Sequence, residues 1–163
     1  MYNHERIQTP FKRGDYYYFF RNSGLQAQNV LYQQDSLTSE PRVFLDPLTL
    51  EADGTAALSA HKFSKSGDLY AYAIARSGSD WVTIYLQDSK GNKLEDVIEW
   101  AKYTKISFTH DEKGFFYGVM IYVLTPMQRE RSMEYGSELN PIPGNTAKSH
   151  FYFLFLFMNK LEL

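Results

Sequence analysis

The chain has 163 residues, of which 44% are hydrophobic, 22% charged and 17% aromatic, and its net charge is −2. That balance suits one globular domain with a real core and gives no electrostatic support for a nucleic-acid or anionic-membrane partner. The absence of cysteine excludes a disulfide framework and thiolate chemistry, and the longest apolar run, Phe151 to Met158, falls well short of the roughly 20 residues a membrane helix needs.

In chain order, the polar N-terminus from Met1 to Arg6 has no signal-peptide core, so a cytoplasmic location is expected. Tyr16 to Phe20 is an aromatic strand behind the turn Lys12-Arg13-Gly14-Asp15, with Phe11 just upstream. Asn29 to Gln33 and Arg42 to Leu45 predict two further strands. Leu69 to Ile74 follows Lys65-Ser66-Gly67-Asp68, with Phe63 upstream. Trp81 to Leu86 alternates, placing Val82, Ile84 and Leu86 on one face, and Leu94 to Ile98 returns after the turn Asp88 to Asn92. Phe115 to Tyr117 follows Asp111-Glu112-Lys113-Gly114, with Phe108 upstream.

The aromatic–turn–aromatic unit therefore occurs three times. The interval from Gly14 to Gly67 is 53 residues and from Gly67 to Gly114 it is 47, near the blade length of propeller repeats, about 40–50. A β-sandwich also has short strands with regular turns, but the spacing favours a propeller. Beyond Val119 the unit does not recur. Glu138 to Gly144 is loop-like with two prolines. Phe151 to Met158 is uncharged and of high β-propensity, which makes it either a last strand or an aggregation-prone window.

Catalytic signals are missing. One glycine pair, Gly114 and Gly118, has the spacing of a G-x-S-x-G nucleophile elbow, and Phe116 stands between them. Ser79 lacks a closing glycine and reads as a hairpin corner. His110 and Asp111 are adjacent, so on a strand they point to opposite faces and make a poor base-and-orienter pair. Glu95 and Asp96 read as a solvated hairpin edge. His4, His61, His110 and His150 have no ligand spacing, the ten glycines form no phosphate loop, and no cofactor or metal is expected.

Several stretches resemble the N-terminal propeller of prolyl oligopeptidases. They are Pro10 to Gly14 with its aromatics, Asn22 to Gln26, Val30 to Ser36, Arg42 to Pro47, and Asp53-Gly54-Thr55. The most specific is Ser77-Gly78-Ser79-Asp80-Trp81-Val82-Thr83-Ile84, and Phe108 to Asp111 with Lys113 to Tyr117 continues it. The resemblance spans about residues 1–118. It implies an all-β chain of about two antiparallel blades from a seven-bladed parent, with residues 119–163 an unrelated, irregular tail, disordered or aggregation-prone.

By the same resemblance the parent is a serine endopeptidase that cleaves short peptides after proline with a Ser-Asp-His triad. Its propeller excludes folded proteins, and its α/β-hydrolase domain is the partner within the same parent chain. This chain then reads as a gating fragment without the triad. The alternative is a non-enzymatic β-sheet interaction module. Two positions carry over by resemblance: Asp80 as the acid that pairs with an arginine of the hydrolase domain, and Tyr103 as the aromatic lining the substrate pocket. Tyrosine there keeps the family's ring and adds a hydroxyl that needs a partner.

Overall fold

Each aromatic–turn–aromatic unit folds as a hairpin, because the turn brings two aromatic segments side by side and the rings then pack across the pair. The computed structural model describes residues 4–51, 54–102, 104–122 and 151–159. The first sheet comprises β1 (Arg6–Ile7), β2 (Phe11–Arg13), β3 (Tyr16–Asn22), β4 (Val30–Gln34) and β5 (Arg42–Leu45). β6 (Ala57–Phe63), β7 (Leu69–Ala75), β8 (Trp81–Asp88) and β9 (Lys93–Lys102) form the second in sequential order. The third contains β10 (Ser107–Phe108), β11 (Gly114–Tyr122) and β12 (Phe151–Asn159).

The three hairpins share one register. Phe11 lies opposite Tyr18, Phe63 opposite Tyr70, and Phe108 opposite Phe115, all antiparallel. Phe11, Phe63 and Phe108, read only as upstream aromatics, are thus strand residues themselves. Among the described residues there is no α-helix. The one helical turn is a 3-10 turn over Pro47–Thr49, where Asp46 accepts from the Leu48 amide at 3.0 Å. No described helix is long and apolar enough to cross a membrane.

The core lies between sheets. One cluster joins Tyr18, Leu31 and Phe44 of the first sheet to Phe63, Tyr70, Tyr72 and Ile74 of the second. Another joins Ala71, Ala73, Val82, Ile84 and Leu86 of the second sheet to Phe115 of the third. β7 is therefore buried on both faces, with large side chains turned to the first sheet and alanines turned to the third. Its sequence, Leu69-Tyr70-Ala71-Tyr72-Ala73-Ile74, is that alternation. Phe63 is the hub of the first cluster, with its ring centroid 4.3 Å from Tyr70 and 4.5 Å from Tyr18.

Polar contacts also cross the sheets. Buried Gln33 donates to the Tyr18 hydroxyl at 2.7 Å and to the Ser89 carbonyl at 2.6 Å, while accepting from Arg42 Nε at 2.8 Å. Gln87 Nε2 donates to the Phe44 carbonyl at 3.3 Å. Such groups are tolerated inside a core because each finds a partner.

The run Phe151 to Met158 lies within β12. That strand pairs with β11 over nine positions, from Gly114 opposite Asn159 to Tyr122 opposite Phe151.

The buried tyrosines make the fold sensitive to alkali. Burial pushes the Tyr18 phenol up to about 12, with the Gln33 bond pulling it part of the way back. Burial likewise pushes Tyr72 up to about 12 and raises Tyr70 further, next to the rings of Tyr72 and Tyr18. All three hold their protons more tightly folded than unfolded, where the ordinary value is 10.0. Their contribution is complete below pH 10 and is lost as pH rises through the folded values. The last part of the tyrosinate absorbance, from these three phenols, is expected to appear only as the β circular-dichroism signal is lost, above pH 10. Full tyrosinate formation with an unchanged β signal would contradict this burial.

Candidate functional site

The Ser77 to Trp81 segment turns the chain from β7 into β8. Ser77 and Gly78 both take left-handed backbone, φ 49° and 70°, and the Ser79 amide donates to the Arg76 carbonyl at 2.8 Å. Ser79 Oγ then accepts from the Trp81 amide at 3.0 Å. Ser79 is a hairpin corner, as its sequence context suggests.

This turn sets Asp80 beside the end of β9. Asp80 Oδ2 lies 3.3 Å from Lys102 Nζ; the Asp80 side chain is 59% exposed and that of Lys102 only 13%. Lys102 Nζ in turn sits 5.3 Å from the centre of the Trp81 ring. Asp80 therefore meets a cation within its own sheet while keeping much of its carboxylate open. Tyr103 lies outside the described residues.

Trp100 carries no local signal of its role. The β8–β9 ladder shifts register between Val82 and Ile84, so Glu99 and Trp100 together oppose Thr83. Trp100 sits in this bulge at φ 60° with 71% of its surface exposed, and its ring meets Trp81 edge-to-face at 5.8 Å. Left-handed backbone on a bulky residue costs roughly 1–3 kcal/mol, and bulges re-aim side chains at rims and sites. Asp80, Trp81, Trp100 and Lys102 thus make one charged and aromatic rim at the β7–β8 end of the second sheet.

Beside this rim Arg76 is fixed by several partners. Its guanidinium donates to Glu51, to the Tyr85 hydroxyl, and to Thr83 Oγ1 at 2.8 Å. Glu51 leads from the first sheet to the second, so the arginine ties the two together at this end.

The other candidates do not assemble a catalytic group. Asp111 accepts from Thr109 Oγ1 at 2.6 Å and from the Lys113 amide at 3.3 Å, and Thr109 holds its carboxyl below the ordinary range. These are turn bonds, and His110 is exposed at the turn. Glu95 is exposed on β9 and Asp96 half-buried. Nothing among the described residues places a base beside a serine hydroxyl in the manner of a triad.

Comparison with known proteins agrees with this architecture. The family described as "Prolyl oligopeptidase, N-terminal beta-propeller domain" matches residues 1–132. Prolyl endopeptidase of Elizabethkingia meningoseptica is 44% identical over 118 residues, covering 72% of this chain and 16% of that protein. The dual function macrocyclase-peptidase of Amanita bisporigera is 36% identical over 123 residues, covering 63% of this chain and 17% of its own length. Among solved structures, prolyl oligopeptidase B of Galerina marginata, bound to a 35mer hydrolysis and macrocyclization substrate, superposes with a TM-score of 0.66 at 33% identity. That match covers 72% of this chain and 19% of the other. The chain spans less than a fifth of the length of each of these proteins. The first two sheets are consecutive blades and β10 with β11 opens a third, and the chain belongs to the prolyl oligopeptidase N-terminal β-propeller family.

Proposed function

We propose that this chain is the gating part of a serine endopeptidase that cleaves short peptides after proline. In this reading the blades narrow access to a hydrolase domain of the same parent and exclude folded proteins, and the parent works in the cytoplasm. The observation that carries it is the pair of complete blades with a third begun, superposing on peptide-bound prolyl oligopeptidase structures. The residues present hold no G-x-S-x-G segment, so the chemistry would come from the parent's other domain.

Asp80 is the residue we assign to the domain interface. Its exposed carboxylate can accept an arginine from the hydrolase domain without surrendering Lys102, because a carboxylate offers about four acceptor positions. Tyr103 follows Lys102 directly and is assigned to the substrate pocket. We divide the chain at residue 118, with residues 119–163 a segment unrelated to the parent propeller.

Two experiments test this reading. The purified chain is expected to leave a proline-containing reporter peptide uncut; turnover abolished by a serine-directed covalent inhibitor would overturn that. Residues 1–118 are also expected to replace the matching segment of a prolyl oligopeptidase with retention of short-peptide cleavage and rejection of folded proteins. A folded chimera that digests whole proteins as readily as short peptides would refute the gating role.

A further inference from the structure

The end of the sheets opposite the Asp80 rim holds an open cleft of about 470 Å³. It is lined by Arg13 from β2, by Lys62 and Lys65 from β6 and the turn after it, and by His110 from the turn after β10. Three formal positive charges from two blades meet there in a chain whose net charge is −2. Among the described residues no carboxylate lines the cleft.

Two acids of the turn after β10 are already engaged. Glu112 accepts from the Ser66 amide at 2.6 Å. Burial pushes its carboxyl up, but the bonds from Ser66 and the charge of Lys65 outweigh this and hold it below its ordinary value. Asp111 is bound to Thr109 and to the Lys113 amide. Among the described residues Arg13 and Lys62 make no ion pair. Arg13 donates to the Lys12 carbonyl at 2.8 Å and lies over the Phe11 ring.

We propose that this cleft docks the carboxylates of an acidic peptide. A cleft of this size accommodates a few residues. Its cations come from two hairpins, Arg13 from the first blade and Lys62 with Lys65 from the second, which suits charges spaced along an extended chain. A phosphate site instead gathers backbone amides around one point. Phe63 and Phe108 give the cleft apolar surface for the side chains between the acidic residues.

Fluorescence anisotropy of the whole chain with a rhodamine-labelled peptide carrying three glutamates tests this directly. Each exposed pair contributes at most a few-fold, so three together should favour the glutamate peptide over its glutamine counterpart by about tenfold or more. Raising salt from about 20 to about 200 mM should weaken binding by a similar factor, as expected for exposed charges. The double variant Lys62→Gln with Lys65→Gln should lose about tenfold, and Arg6→Gln, exposed on β1, should lose nothing. If the double variant does not melt cooperatively, Arg13→Gln carries the same expectation with a smaller loss. Equal binding of the glutamine peptide, or full binding by the cleft variants, would overturn the proposal. Displacement of the labelled peptide by inorganic phosphate more effectively than by unlabelled glutamate peptide would also overturn it, assigning the cleft to phosphate.

Discussion

Phe63→Ala is expected to cost the fold about 3–5 kcal/mol, the usual range for removing a buried phenylalanine. Phe63 closes β6 and touches four aromatic rings from both blades: Phe11 at 6.0 Å, Tyr18 at 4.5 Å, Phe44 at 6.1 Å and Tyr70 at 4.3 Å. Removing it opens a cavity between two sheets whose strands are fixed by their ladders, so little collapse can compensate. Domains of this size are stable by only about 5–15 kcal/mol, so the variant should be marginal at room temperature. Urea denaturation followed by tryptophan fluorescence measures the loss. A cost below about 1 kcal/mol would mean that the two blades do not share this core.

Gly67→Ala is the second large effect, and its cause is backbone approach. Gly14 and Gly67 occupy the first turns of consecutive blades, at φ 55° and 89°. A Cβ on Gly67 would lie 2.4 Å from the Gly14 nitrogen and 2.7 Å from the Arg13 carbonyl carbon. Neither atom belongs to a side chain that could swing aside. Left-handed backbone costs alanine roughly 1–2 kcal/mol, and forcing two turns apart adds roughly 1–3 kcal/mol. Gly91→Ala separates the two contributions. Gly91 has φ 89° as well, but a Cβ there meets nothing within 4 Å. Thermal melts should show Gly67→Ala losing clearly more than Gly91→Ala. Equal losses would mean that the blade turns do not touch.

The blade repeat was legible because each blade opens with the same chemistry: an aromatic, a polar turn, then an aromatic strand in register with the first. Strand direction along the second blade was legible for a similar reason, since β8 alternates and its inner residues Val82, Ile84 and Leu86 are all buried. Which face each unit turns to its neighbour was not legible. Phe11 and Tyr18 face forward to the second blade, whereas Phe63 and Tyr70 face back to the first. Tyr16 to Phe20 is aromatic at every position, so its period carries no information about sidedness.

β6 escaped notice apart from Phe63, because Ser59, His61 and Lys62 give the strand a largely exposed, polar run. Leu94 to Ile98 marks only the middle of β9, which runs on to Lys102. Trp100 could not be singled out, because a bulge belongs to the pairing of two strands and leaves no local signature. Asp80 was visible through its neighbours Trp81 to Ile84, but its ion pair with Lys102 joins residues 22 positions apart.

Hydrogen exchange at single-residue resolution tests the central claim, that these sheets are successive blades of one propeller. Amide protection follows burial and ladder position, and strands paired on both edges and covered on both faces open last. β7 is paired with β6 and β8 and covered by both neighbouring blades. Its amides from Tyr70 to Ile74 are expected to exchange most slowly, with β3 and β8 next and the edge strand β5 fast. Uniformly fast exchange in β7, or slowest exchange in β5, would contradict the stacked-blade arrangement.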